Sequence, residues 1–176
     1  MIKHLFLILG LLAALTAEPV LACTSAVVSG KVTLDGRPLL WKNRDTDFMR
    51  NHVDYVKGER YDFIAVVNSA NAYLKEAWMG TNSAGFALMN TQSYNLVDVK
   101  GDEERGAANG RVIYRALEVC ATVEDFCHFL DTISKPSDIE ANFGVIDAQG
   151  GAAMFEVDYY KYCLLYTSPS PRDMRR

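Results

Sequence analysis

Short runs of alternating apolar and polar residues fill much of the chain, and two stretches of helical periodicity lie between the later runs. Alternation predicts half-buried strands, whereas apolar residues three and four positions apart predict helices. We expect strands at residues 24–30, 38–43, 63–68, 77–81, 85–91, 143–147 and 152–157. The predicted helical faces comprise Val112, Ile113, Ala116, Leu117 and Cys120, followed by Phe126, Cys127 and Leu130. This order predicts an α+β domain in which antiparallel sheets are covered by helices.

Turn and cap signals separate these elements. They are the hairpin dipeptide Asp35-Gly36, the turns Asn82-Ser-Ala-Gly85 and Gln149-Gly150-Gly151, the capping pair Thr122 and Asp125, and the helix stop Lys135-Pro136. Residues 100–110 are acidic and poor in apolar side chains, which predicts an exposed loop. The hairpin at Asp35-Gly36 would return the segment Lys42-Asn43-Arg44-Asp45 towards Cys23. Charged and amide side chains would then lie around a cysteine at the end of a strand.

The first 22 residues have the three parts of a secretion signal. Lys3 and His4 form a basic start, residues 5–15 are apolar, and Val20-Leu21-Ala22 provides a cleavage site. The apolar run is too short for a membrane span, which needs about 20 residues. We therefore expect residues 1–22 to be removed, leaving Cys23 at the N-terminus of a protein exported to the bacterial periplasm or beyond it. The alternative is a lipoprotein signal, in which Cys23 is lipidated.

The last residues differ in character from the rest of the chain. Cys163-Leu-Leu-Tyr-Thr-Ser-Pro-Ser-Pro-Arg-Asp173 resembles the translation of a sequencing adapter. We therefore expect residues 163–176 to be a non-native tail, residues 23–162 to form the N-terminal part of one domain, and the natural chain to continue. A genuine polar tail is the alternative.

The composition of the chain disfavours some classes of binding partner. The net charge is −4, which disfavours a nucleic-acid partner. Only His52 and His128 lie outside the leader, and no paired Cys-x-x-Cys spacing occurs, so neither a metal site nor a cofactor is expected. Cys120 and Cys127 are expected to be free thiols, because on one continuous helix they would be too far apart for a disulfide. A disulfide between them would require a helix break, which is the alternative. Homo-oligomerisation is left open.

Ordered motifs carry a family resemblance. Cys23-Thr24-Ser25, Asp35-Gly36-Arg37 and Trp41-Lys42-Asn43-Arg44-Asp45 resemble the start of cysteine N-terminal-nucleophile hydrolases. The segments 80–90 and 141–156 are similar to later parts of the same family. The best match within it is to the linear amide C–N hydrolases, which include choloylglycine hydrolases, penicillin V acylases and the acyl-CoA:6-aminopenicillanic acid acyltransferase group. The resemblance implies a layered αββα sandwich.

The resemblance also implies a set of site residues. Cys23 would be both nucleophile and base, since a thiol and an α-amine have pKa values of about 8.5 and about 8. Asp45 would orient Cys23. Lys42 stands where many relatives carry arginine, so Arg44 is a candidate to act in its place. Asn90 and Asn142 would stabilise the oxyanion, with Asn82 as the alternative to Asn90.

The implied reaction is cleavage of a linear amide through an acyl-thioester on Cys23. The substrate would be a small-molecule amide or a short peptide. Two alternatives of the same class are a dipeptidase and an acyltransferase that uses acyl-coenzyme A. The alternative from another class is a lipidated surface-binding protein in which Cys23 is only an anchor.

Overall fold

The computed structural model describes residues 23–93, 96 and 106–166. The strands within these residues are β1 (Thr24–Val28), β2 (Leu39–Asn43), β3 (Asn51–Val56), β4 (Phe63–Asn68), β5 (Met79–Asn82), β6 (Ala87–Gln92), β7 (Ala141–Ile146), β8 (Ala152–Val157) and β9 (Tyr162–Tyr166). The helices are α1 (Asn109–Val119) and α2 (Val123–Thr132), and Ala72–Leu74 forms one turn of 3₁₀ helix. The predicted signal peptide and residues 100–105 of the predicted loop lie outside the described residues. The prediction of an exposed loop is wrong at its end, because Asn109 and Gly110 are buried in the first turn of α1.

The strands form two antiparallel sheets. The larger sheet has seven strands in sequential order from β3 to β9, and α1 and α2 lie in the chain between β6 and β7. The smaller sheet is the β1–β2 hairpin. Its turn contains Gly36 with φ of 75°, a conformation that glycine adopts without steric cost. The predicted α+β class with antiparallel sheets is therefore confirmed.

One face of the large sheet packs against the two helices. Phe126 of α2 is fully buried, and its ring centroid lies 5.0 Å from that of Phe155 and 5.8 Å from that of Phe143. Thr122 and Asp125 form the predicted capping box at the start of α2. The backbone N–H groups that open a helix need such partners. The helical layer is thus fixed both by apolar packing and by a defined first turn.

The β1–β2 hairpin packs on the opposite face of the large sheet. Gly144 of β7 permits this approach, because a Cβ atom there would collide with Met89 and lie 2.8 Å from Val27 Cγ2 and 3.1 Å from Leu40 Cδ1. The described residues therefore form three layers: helices, the seven-stranded sheet and the hairpin. These layers correspond to three of the four in an αββα sandwich.

Two strands differ from expectation. β3 was not predicted, and β9 includes residues 163–166, which belong to the predicted non-native tail. Cys163 pairs with Glu156 and Leu164 with Phe155 in regular antiparallel register. The first residues after Tyr162 therefore continue the sheet, while the origin of the tail stays a prediction. Neither described helix has the length and apolar character that crossing a membrane requires.

The cysteines are free thiols. Cys120 is buried and Cys127 is half-buried. Helix α1 ends at Val119 and α2 begins at Val123, so the two cysteines do not lie on one continuous helix. Burial raises the pKa of the Cys120 thiol to about 12. Cys120 is therefore a packing residue with little thiolate at neutral pH.

Candidate active site

The hairpin determines where Cys23 lies. Thr24 pairs with Asn43 and Ser25 with Lys42, so the residue before Thr24 reaches the chain that leaves β2. There the Cys23 thiol donates a hydrogen bond to the main-chain oxygen of Asp45, with an Sγ–O distance of 3.6 Å. The structure thus brings Cys23 and Asp45 together through the backbone of Asp45. That the Asp45 carboxylate orients Cys23 stays a prediction.

Lys42 connects the hairpin to the large sheet. Its ammonium group donates hydrogen bonds to the main-chain oxygen of Trp78 at 2.9 Å and to Asn90 Oδ1 at 3.0 Å. Burial lowers the pKa of Lys42 from 10.5 to about 8; the negative charge of a Cys23 thiolate acts in the raising direction, and Arg44 acts in the lowering direction. Lys42 is therefore close enough to Cys23 for the two charges to interact.

Arg44 is a second cation near the same thiol. Its guanidinium donates hydrogen bonds to Asn51 Oδ1 and, at 2.8 Å, to Asn68 Oδ1. It also lies 5.0 Å from the centroid of the Trp78 ring, in cation–π geometry. Burial lowers the pKa of Arg44, and the charge of Cys23 opposes that shift. Lys42 and Arg44 thus hold two positive charges beside Cys23 on rigid supports.

The two asparagines predicted for the oxyanion hole lie on neighbouring strands. Asn90 is buried in β6, while Asn142 of β7 pairs with Thr91, the next residue of β6. Asn142 Nδ2 donates to Thr91 Oγ1 at 3.5 Å, and Asn142 Oδ1 is buried without a hydrogen-bond partner. The structure brings Asn90 to Lys42 by direct contact and leaves Asn142 one strand away. The oxyanion role of both stays a prediction.

Asn82 lies in a different environment. Its Nδ2 donates to the main-chain oxygens of Leu117 at 2.9 Å and Cys120 at 2.7 Å. Its Oδ1 accepts from the main-chain N–H groups of Ala84 and Phe86, both at 3.1 Å. The side chain therefore joins the β5–β6 turn to the end of α1, and the structure does not bring it to the Cys23 cluster.

Three members of the cluster were not predicted from the sequence. Asn51 and Asn68 form a facing pair between β3 and β4 and hold Arg44, while Trp78 contacts both cations. The pairing of Asn51 with Asn68 would have indicated a shared polar site, but only once β3 had been recognised as a strand.

An apolar groove of about 300 Å³ lies between the hairpin and the large sheet. Its walls include Leu40, Ile64, Val66 and Met79. Leu40 is two residues from Lys42, and Met79 follows Trp78, so the groove and the cluster are adjacent along both strands.

The two histidines that the structure describes form separate contacts. His52 Nδ1 lies 3.0 Å from Ser69 Oγ, and His128 forms an exposed pair with Glu124 at 3.8 Å. Within residues 23–93 and 106–166, no group of three histidine, cysteine or carboxylate side chains is arranged to hold a metal ion.

Comparison with known proteins identifies a family. The sequence profile of the family described as acyl-coenzyme A:6-aminopenicillanic acid acyl-transferase matches residues 33–169. This range includes Lys42, Asp45, Asn90 and Asn142 and begins after Cys23. The structure is also similar to that of penicillin V acylase from Agrobacterium tumefaciens, with a TM-score of 0.40 and 16% identity; the similarity covers 82% of this chain and 40% of that one. No curated protein sequence matches the chain.

Proposed function

Because the chain belongs to the acyl-coenzyme A:6-aminopenicillanic acid acyl-transferase family, we propose that it is an exported enzyme that cleaves linear amides with Cys23 as its nucleophile. Cleavage after Ala22 would free the α-amine of Cys23. The thiol and its base would then belong to one residue.

The surroundings of the Cys23 thiol carry this proposal. The β1–β2 register places the thiol at the end of the hairpin, and the charges of Lys42 and Arg44 interact with it. Neighbouring positive charge favours the thiolate, which is the nucleophilic form of cysteine. Cys120, by contrast, is buried with a pKa raised to about 12. Cys23 therefore has the surroundings that thiol chemistry needs.

The proposed reaction has two steps. The α-amine of Cys23 takes the thiol proton, the sulfur attacks the amide carbon, and the C–N bond breaks as the ammonium returns a proton to the leaving amine. Water then attacks the thioester, which releases a carboxylic acid and regenerates the thiol. Asn90 is suited to donate from Nδ2 to the developing oxyanion, because Lys42 occupies its Oδ1. The Asp45 carboxylate would orient the ammonium, with Asn142 as a second donor.

The proposal also covers the molecule that accepts the acyl group from Cys23 and the class of substrate. Attack by water makes the protein a hydrolase, and attack by another amine makes it an acyltransferase that could use acyl-coenzyme A. A short peptide substrate would make it a dipeptidase. We favour a small-molecule amide with an apolar acyl group, because the groove lined by Leu40 and Met79 lies next to the cluster.

Replacement of the nucleophile tests the proposal. In the exported protein, Cys23→Ser is expected to abolish labelling by an electrophilic amide probe, whereas Cys127→Ser, the matched control at a half-buried thiol, should label like the wild type. Undiminished labelling of Cys23→Ser would refute the assignment. The intact mass of the exported protein tests the lipoprotein alternative, since a diacylglyceride on Cys23 excludes catalysis by its free thiol and amine.

A further inference from the structure

The contact between Lys42 and Asn90 has a direction. A lysine ammonium group has three N–H donors and no acceptor, so only the oxygen of an asparagine amide can face it. Lys42 Nζ lies 3.0 Å from Asn90 Oδ1. The Nδ2 group of Asn90 must therefore point to the other side of the amide. A reversed amide would place donors against donors.

Both partners of this contact are rigidly supported. Lys42 also donates to the main-chain oxygen of Trp78 at 2.9 Å, and the N–H of Trp78 donates to Val66 of β4 at 3.0 Å. Asn90 lies within β6 and is only 3% exposed. Lys42 is thus held through Trp78, which is bonded to β4, and Asn90 is held within β6. We therefore expect neither side chain to move easily when a substrate binds.

We infer that Lys42 is a positioning residue that fixes the orientation of the Asn90 amide, so that a donor rather than an acceptor faces the carbonyl oxygen of the acyl group on Cys23. This inference rests on the proposed function. It assigns Lys42 a role beyond that of a charge near the thiol, because the direction of the hydrogen bond matters as well as the charge.

The role predicts a specific dependence on pH. The titratable or charged groups that act on Lys42 are Cys23 of the hairpin end and Arg44 just after β2, while β5 and β6 present the uncharged Trp78 carbonyl and Asn90 amide. As the pH rises through about 8, Lys42 loses its proton. A neutral amine is also a hydrogen-bond acceptor, so the reversed amide becomes allowed. Oxyanion stabilisation by Asn90, and with it the rate of Cys23 acetylation, should then fall.

Two reactions of Cys23 separate positioning from thiol activation. Acetylation by 4-nitrophenyl acetate passes through an oxyanion and depends on Asn90, whereas alkylation by iodoacetamide needs only the thiolate. We expect Lys42→Met to slow acetylation by roughly 10²-fold, the range for loss of one oxyanion donor, and to change alkylation far less. Lys31→Met, at an exposed lysine of the hairpin turn, is the control and should react like the wild type. An equal loss in both reactions overturns the inference.

A double-mutant cycle provides the second test. Asn90→Leu should slow acetylation by about 10²- to 10³-fold, and Lys42→Met in that background should add little, because the two residues act as one unit. If the losses in acetylation rate of the two single variants multiply in the double variant, the inference is overturned. Lys42→Arg keeps a charge that does not titrate in this range, so acetylation should no longer fall above pH 8; the same fall in this variant also overturns it.

The location of the acetyl group distinguishes the two proposals. If peptide mapping finds no acetyl group on Cys23 of the wild type, the proposed function fails. If the acetyl group is on Cys23 but the two losses multiply, only the role of Lys42 fails.

Discussion

The two faces of the seven-stranded sheet differ in what they bury. The helical face is closed by aromatic rings, with Phe126 in contact with Phe86, Phe143 and Phe155. The hairpin face buries part of a lysine and an arginine and leaves an apolar groove of about 300 Å³ open. The aromatic packing and the proposed active site thus lie on opposite sides of one sheet.

Three asparagine side chains differ in how their polar atoms are paired. Asn82, on the helical side, uses both its nitrogen and its oxygen in hydrogen bonds to backbone groups. Asn142 Oδ1 has no partner, and Asn90 Oδ1 accepts from a lysine whose pKa burial has lowered. A buried polar group without a matching partner costs free energy. In proteins generally, such costs are concentrated at functional sites, which agrees with the proposed role of this region.

The largest effect on stability is expected for Phe126→Ala. Removal of a fully buried phenylalanine leaves a cavity and typically lowers the free energy of unfolding by about 3–5 kcal/mol. Urea unfolding measures this change. Below the transition, the remaining folded protein should still be alkylated at Cys23 at the wild-type rate. A loss of Cys23 reactivity in fully folded protein would contradict the separation of the two faces.

A smaller effect is expected for Asn82→Ala. Two carbonyl oxygens and two N–H groups lose their partner, which should lower the free energy of unfolding by roughly 2–3 kcal/mol. Asn71→Ala is the matched control, because Asn71 makes no side-chain cap hydrogen bond at the 3₁₀ turn. The acylation rate per folded molecule should remain unchanged in both variants. A drop of about 10²-fold in Asn82→Ala alone would return Asn82 to the oxyanion hole.

The fold was predictable where burial gives a clear pattern. β4, buried on the helical face, was predicted at its observed bounds, and the Thr122 cap marked the start of α2. β3 was missed because it is an edge strand whose residues are mostly exposed, including Val53 and Tyr55, so burial imposes little pattern on it. β9 was missed because its residues were assigned to a tail by resemblance, although their pairing with β8 is regular.

The site was predictable as a set of residues and not as a set of contacts. The hairpin signal at Asp35-Gly36 sufficed to bring Lys42 and Asp45 towards Cys23. The contact of Lys42 with Asn90 spans 48 positions and depends on how the hairpin sits on the sheet, which no local pattern encodes. Asn82 was a candidate because of its position in a motif, and only tertiary packing reveals that its amide is fully used.

In the proposed mechanism Cys23 supplies both the thiol and the base. The most direct test compares the protein processed to begin at Cys23 with a protein that retains Ala22 in peptide linkage. Retention leaves the thiol in place and removes the free amine of Cys23, so we expect amide turnover to fall by about 10²- to 10⁴-fold, the range for a general acid–base group, while iodoacetamide still alkylates Cys23. Equal amide turnover in the two forms would contradict the account.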